Sequence, residues 1–113
     1  MKMDGRGDPT EIRVETLARM RSDREHHILL DVREDEELQI CRLSGSLHIP
    51  MNAVPASLDS IPRNCPVVVL CHHGVRSRMV TDYLRRMGFD RAVNLIGGID
   101  AWARETDNSV PLY

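Results

Sequence analysis

Cys71, His72, His73, Gly74, Arg76 and Ser77 follow directly on the run Val67-Val68-Val69-Leu70. A cysteine set among cations is the residue pattern of a nucleophile. A free thiol is only about 3% thiolate at neutral pH, and helix-terminal amides or neighbouring cations raise that fraction. The segment offers both: Arg76 carries a permanent charge, His72 and His73 a partial one, and the residues that follow have helical periodicity. Gly74 permits a backbone turn that a Cβ would resist. Amide donors gathered around a sulfur form an anion nest, suited to a thiolate, a persulfide or a small oxyanion.

Such a group needs a rigid support. Val67 to Leu70 are apolar on both faces, as in a buried central strand of a parallel sheet. The carboxyl ends of such strands, beside helix N-termini, are where α/β proteins place their ligands. Strand and helix signals alternate along the chain. Glu11 to Val14 predicts a short strand, and Val14, Leu17 and Met20 a helix ending near Ser22. His27 to Val32 predicts a second buried strand with Asp31 and Arg33 at its carboxyl end. Glu34-Asp35-Glu36-Glu37 suits the first turn of a helix, where the macrodipole favours negative charge.

Further on, Leu47 to Ile49 reads as a short strand, and Asn52 to Ile61 as one short helix interrupted by Pro55. Met79, Val80, Tyr83, Leu84 and Met87 form the apolar stripe of a helix that Gly88 stops. Ala92 to Ile96 reads as a last strand, and Gly97-Gly98 as a turn into Ile99 to Arg104. The tail from Pro111 to Tyr113 carries no decisive signal. The expected class is α/β, with a mainly parallel central sheet flanked by helices on both faces. Residues 1–9 read as a mobile, charged leader and residues 10–113 as one domain.

Composition narrows the function. A net charge of -2 and an aromatic content of 4% leave neither a polyanion-binding surface nor stacking platforms, so no nucleic-acid partner is expected. No segment has the apolar length of a membrane span, and the opening residues lack the apolar core of an export signal, which points to the cytoplasm. Cys41, Cys65 and Cys71 are odd in number and unpaired in spacing, so neither a disulfide framework nor a zinc site is suggested. Cys41 and Cys65 read as buried filler, His48 as structural and Trp102 as a core anchor for the last helix. Adjacent residues seldom point at one ion, so His72 and His73 predict no metal site.

Four segments, taken together and in order, resemble the rhodanese-like sulfurtransferases. They are Asp31-Val32-Arg33-Glu34, Leu47-His48-Ile49-Pro50, the loop Cys71-x-x-Gly74-x-Arg76-Ser77, and Gly97-Gly98-Ile99-Asp100-Ala101-Trp102. The family's usual His-Ile-Pro-Gly-Ala is Arg42-Leu43-Ser44-Gly45-Ser46 here, keeping only the glycine. The resemblance implies a stand-alone single-domain rhodanese without metal or organic cofactor. Cys71 would accept sulfane sulfur from thiosulfate or a persulfide donor and pass it to cyanide, a cellular thiol or a protein acceptor such as a thioredoxin. His72, His73, Gly74, Val75, Arg76 and Ser77 would form the active-site loop, with Arg76 holding it and attracting the anionic donor. Asp31 and Arg33 would brace the neighbouring segment by an ion pair.

Two other functions compete. Cysteine phosphatases and arsenate reductases also surround an anion with a cysteine and an arginine, but phosphatases use Cys-x5-Arg. Cys71 to Arg76 is one residue shorter, which favours sulfur over a tetrahedral phosphate. A non-catalytic rhodanese module acting in binding or regulation is the other alternative. Such modules often lose the cysteine that this chain keeps.

Overall fold

The computed structural model describes residues 10–113, so the leader expected over residues 1–9 lies outside the described residues. Five parallel strands form one sheet in the order β1-β5-β4-β2-β3. They are β1 (Glu11–Ile12), β2 (Ile28–Asp31), β3 (Leu47–His48), β4 (Val67–Leu70) and β5 (Ala92–Leu95). The helices are α1 (Val14–Ser22), α2 (Asp35–Ile40), α3 (Val75–Arg86) and α4 (Gly98–Glu105). The α/β class and the parallel sheet expected from the sequence are present. Among the described residues, no helix is long and apolar enough to cross a membrane.

The all-apolar β4 lies at the centre because both of its faces must be covered. Val67 and Val69 pack with Val80, Leu84 and Phe89, while Val68 and Leu70 pack with Leu17, Leu95 and Trp102. The period of two divides the core into two layers, and it carries Cys71 onto the face covered by α3. After β2 the chain moves out to β3, whereas after β4 it moves the other way, to β5. The crevice between the carboxyl ends of β2 and β4 is therefore the topological switch point, where open α/β sheets bind ligands.

Two local expectations are corrected. Asn52 to Ile61 is not one helix but two 3-10 turns, Met51–Ala53 and Pro55–Ser60. Pro55 has no amide hydrogen, and the bonds on either side are short-range ones, Val54 N to Met51 O and Ser57 N to Val54 O. The inward face of α3 is also rotated from the apolar stripe. Ser77, Val80, Thr81 and Leu84 are buried, whereas Met79 is 55% and Met87 42% exposed. The Thr81 hydroxyl donates to the Ser77 carbonyl at 2.8 Å, so a small polar residue enters the core without an unsatisfied group.

Candidate active site

Cys71 follows the last residue of β4 and is buried. Two amides donate to its sulfur, that of Gly74 at 3.1 Å and that of Ser77 at 3.3 Å, and the Ser77 hydroxyl oxygen lies 3.3 Å from it. Their convergence comes from helix entry. Gly74, at φ +104°, is the N-cap of α3, and the first turn of a helix has amides without intrahelical partners. The sequence places Val75 and Arg76 in a loop; they belong instead to the first turn of α3, with Ser77 beside them. The expected loop is therefore the turn from Cys71 to Gly74 plus one helical turn.

A second helix holds this turn from behind. The Ile99 amide donates to the Cys71 carbonyl at 2.9 Å and the Asp100 amide to the His72 carbonyl at 3.0 Å. The free amides of α4 thus take the turn's carbonyls, leaving the Gly74 and Ser77 amides directed at sulfur. Gly98 makes this approach possible. A Cβ there would collide with the backbone carbonyls of Cys71 and His72, at a φ of +61° that disfavours any side chain. Gly98→Ala should lose at least about 3 kcal/mol of stability by chemical denaturation, because backbone has to move rather than a flexible side chain.

Ser77 also connects the sulfur to β5. Its hydroxyl donates to Asn94 Oδ1, and Asn94 Nδ2 donates to the Gly74 carbonyl at 3.3 Å. A serine hydroxyl has one proton. While it points to Asn94, Ser77 Oγ can accept from the Cys71 thiol; once the sulfur is an anion, the same hydroxyl can turn and donate to it. Asn94 was not among the sequence candidates. Its signal was a polar residue inside the otherwise apolar strand Ala92-Val93-Asn94-Leu95.

Arg76 is not a free cation. Its guanidinium makes a two-pronged contact with Glu37, at 2.6 and 2.8 Å. The Arg76 hydrogen bond holds the Glu37 carboxyl down at about 2, and Glu37 in turn raises the Arg76 pKa against the effect of burial. Glu37 also completes the capping box of α2, donating nothing but accepting the Glu34 amide at 2.9 Å. The acidic run is thus a helix start, as expected, and its last member is in addition the partner of Arg76. Since the carboxyl's unfolded value is near 4.5, this pairing stabilises the fold fully above that pH and is lost as the pH falls toward 2. The stability gap between wild type and Glu37→Gln, read by chemical denaturation, should therefore be widest above pH 5.5, at roughly 1–2 kcal/mol after solvent screening, and should close near pH 2.

Asp31 and Arg33 form the expected ion pair, at 2.8 Å and with both side chains 0% exposed. Burial opposes the Arg33 charge, but the hydrogen bonds and field of Asp31 and Tyr113 outweigh it and raise its pKa. His48 accepts the expected structural role through a 2.7 Å hydrogen bond to the Arg33 carbonyl.

The tail supplies a residue that no sequence signal marked. Tyr113 lies flat on His72, with ring centroids 3.8 Å apart and planes 3° apart. Its hydroxyl receives a hydrogen bond from Arg33 at 2.8 Å and donates one to Glu37 at 2.9 Å. Burial first, and then donation to Glu37, push the Tyr113 hydroxyl up to about 12. Burial and the neighbouring His73 lower the pKa of His72, with Asp100, Glu37 and the backbone of Tyr113 acting in the opposite sense. Val75 is 71% exposed and its side chain faces solvent, so its contribution to the site is backbone only. Cys41 and Cys65 are free thiols, buried as expected.

Comparison with known proteins agrees with this geometry. A family model described as "Rhodanese-like domain" matches residues 13–105. A sulfurtransferase of Allochromatium vinosum is 37% identical over 94 residues, covering 83% of this chain and 88% of its own. The thiosulfate sulfurtransferase GlpE of Actinobacillus succinogenes is 34% identical over 80 residues, covering 71% of this chain and 72% of its own. The chain spans only 22% of a longer adenylyltransferase and sulfurtransferase of Zea mays, to which it is 37% identical. A solved rhodanese-like domain protein from Staphylococcus aureus superposes with a TM-score of 0.80 at 31% identity, covering 92% of this chain and 98% of that one.

Proposed function

The chain belongs to the rhodanese-like domain family of sulfurtransferases, and from that premise we propose that it carries sulfane sulfur on Cys71 from thiosulfate or a persulfide donor to a thiophilic acceptor. The observation that carries this reading is the pair of backbone amides, of Gly74 and Ser77, that donate to Cys71 Sγ, with the Ser77 hydroxyl 3.3 Å away. Fixed donors of this kind solvate an anionic sulfur without reorganising during the reaction.

In the first step the Cys71 thiolate attacks the outer sulfur of the donor. A new S–S bond forms on Sγ, and with thiosulfate the old S–S bond breaks with its electron pair leaving on sulfite. In the second step cyanide or a thiolate acceptor attacks the outer sulfur of the persulfide, and the electron pair returns to Cys71. Both steps are nucleophilic displacements at sulfur and need no metal or organic cofactor. Three buried, unpaired cysteines suit a reducing compartment such as the cytoplasm, where a thiol acceptor, including a protein one of the thioredoxin kind, is at hand.

Incubation with thiosulfate, removal of excess donor and measurement of intact mass test the reading. The expected gain is one sulfur, about 32 Da, which cyanide removes. An unchanged mass with turnover of an aryl phosphate would support the phosphatase alternative, and an unchanged mass with no turnover the non-catalytic one. Ser77→Ala should lower the second-order rate of sulfur loading roughly tenfold, because a hydrogen bond to a charged group is worth about 1.5–3 kcal/mol.

The Arg76–Glu37 contact bears on the donor. With its charge already met, Arg76 holds the first turn of α3 to α2 more than it attracts a dianion. Glu37→Gln should therefore lower the KM for thiosulfate about threefold, the scale of one partly exposed ion pair. A raised KM would show instead that loosening the first turn of α3 outweighs the freed charge of Arg76.

A further inference from the structure

We propose that His72, His73 and Asp100 form a binding site for a divalent transition-metal ion of the zinc class on the rim of the Cys71 turn. Each residue offers one ligand atom, and the three atoms lie within 4.8 Å of one another. Two imidazoles and a carboxylate are a donor set that zinc and its neighbours in the first transition row accept. Sequence spacing predicts no metal here because the two histidines are adjacent. The third donor comes from α4, and the same backbone bond that grips the turn, Asp100 N to His72 O at 3.0 Å, sets it beside the histidines.

Three further features favour occupation. His72 Nε2 is buried and has no hydrogen-bond partner among the described residues, which leaves a ring nitrogen open to a ligand. Its ring packs against Tyr113, at 3.8 Å, and His73, at 3.9 Å and tilted by 31°, contacts that hold the ring in place before any ion arrives. Asp100 gives one carboxylate oxygen to Arg104 at 2.9 Å, the kind of outer hydrogen bond that orients a ligating carboxylate. Ligand distances of roughly 2.0–2.2 Å require the three donors to draw somewhat closer, and the exposed His73 is free to supply that movement.

The experiment uses Cys71→Ala protein, so that neither the thiol nor its sulfur chemistry takes part, and its outcome is separate from that of the proposed function. Zn2+ is titrated in competition with a chromophoric chelator, and Co2+ absorption reports the coordination geometry. The expected result is one ion bound per chain, with His73→Ala and Asp100→Asn, each added to Cys71→Ala, weakening affinity at least about tenfold. Thermal melts of the metal-free variants establish that both still fold. Absence of binding to Cys71→Ala protein would overturn the proposal, because any ion on the wild type would then belong to the thiol. Unchanged affinity in both folded variants would overturn it too, placing the ion elsewhere, for example at His26 and His27.

Discussion

Cys71→Ser protein will fold as the wild type does and transfer no sulfur. The substitution preserves the geometry of the site: a serine oxygen fits the small buried space and can still accept from the Gly74 and Ser77 amides. What it removes is a nucleophile that ionises near neutral pH and a sulfur that can carry another sulfur. The expected loss in thiosulfate:cyanide sulfur transfer is at least about 10^4-fold, on the scale of removing the nucleophile from a covalent enzyme. The mass gain of about 32 Da should vanish with it. Cys41 and Cys65 remain in this variant as internal controls, since both are buried outside the donor nest. Appreciable transfer by Cys71→Ser protein would sink the Cys71 assignment outright.

Asp31→Ala has the second large effect, on stability rather than on chemistry. Arg33 is wholly buried, and Asp31 supplies the contacts that neutralise it, at 2.8 to 3.1 Å. Without that carboxylate, the guanidinium keeps neutral partners, the Cys41 carbonyl and the Tyr113 hydroxyl, each at 2.8 Å, with longer contacts to the Glu37 carbonyl and the Cys41 sulfur. Breaking a buried pair from one side costs about 3–5 kcal/mol, because an uncompensated charge stays in the core. For a domain of this size that is a fall in melting temperature on the order of 15 °C. Pairing Asp31→Leu with Arg33→Met, which removes both charges, should restore much of the loss. A loss below about 1 kcal/mol in Asp31→Ala would show that water or a rearranged neighbour reaches Arg33.

These two residues show how differently parts of the site are written in the chain. Cys71 was legible because everything that marks it is local: a four-residue apolar strand before it, a glycine three positions on, and helical periodicity beyond. Asp31 and Arg33 were legible for the same reason, being two residues apart at the end of a strand. The start of α2 was equally plain from its acidic run, which suits any helix N-terminus whatever it faces.

Arg76 was legible as a residue but not as an interaction. Its partner Glu37 is 39 positions away, and the acidic run already had a sufficient explanation in its own helix. Tyr113 is 80 positions from Arg33 and belongs to no periodic element, so nothing in its neighbourhood foretold that it would lie on His72. The buried face of α3 departs from its apolar stripe for a related reason. Apolar periodicity assumes that buried positions are apolar, but Thr81 hydrogen-bonds within its own helix and Ser77 to Asn94 of β5, so both take core positions and Met79 turns outward.

By itself, then, the sequence determined the alternating elements, the parallel sheet and the placement of a cysteine at the mouth of a helix, because backbone conformation and burial leave a short-range periodic imprint. Only the tertiary structure decided what surrounds that cysteine: Asn94 behind Ser77, Glu37 on Arg76, Tyr113 over His72 and Asp100 beside the two histidines. Those pairings depend on how separate elements pack against one another. A contact closed across dozens of residues leaves no period in the chain for a reader to find.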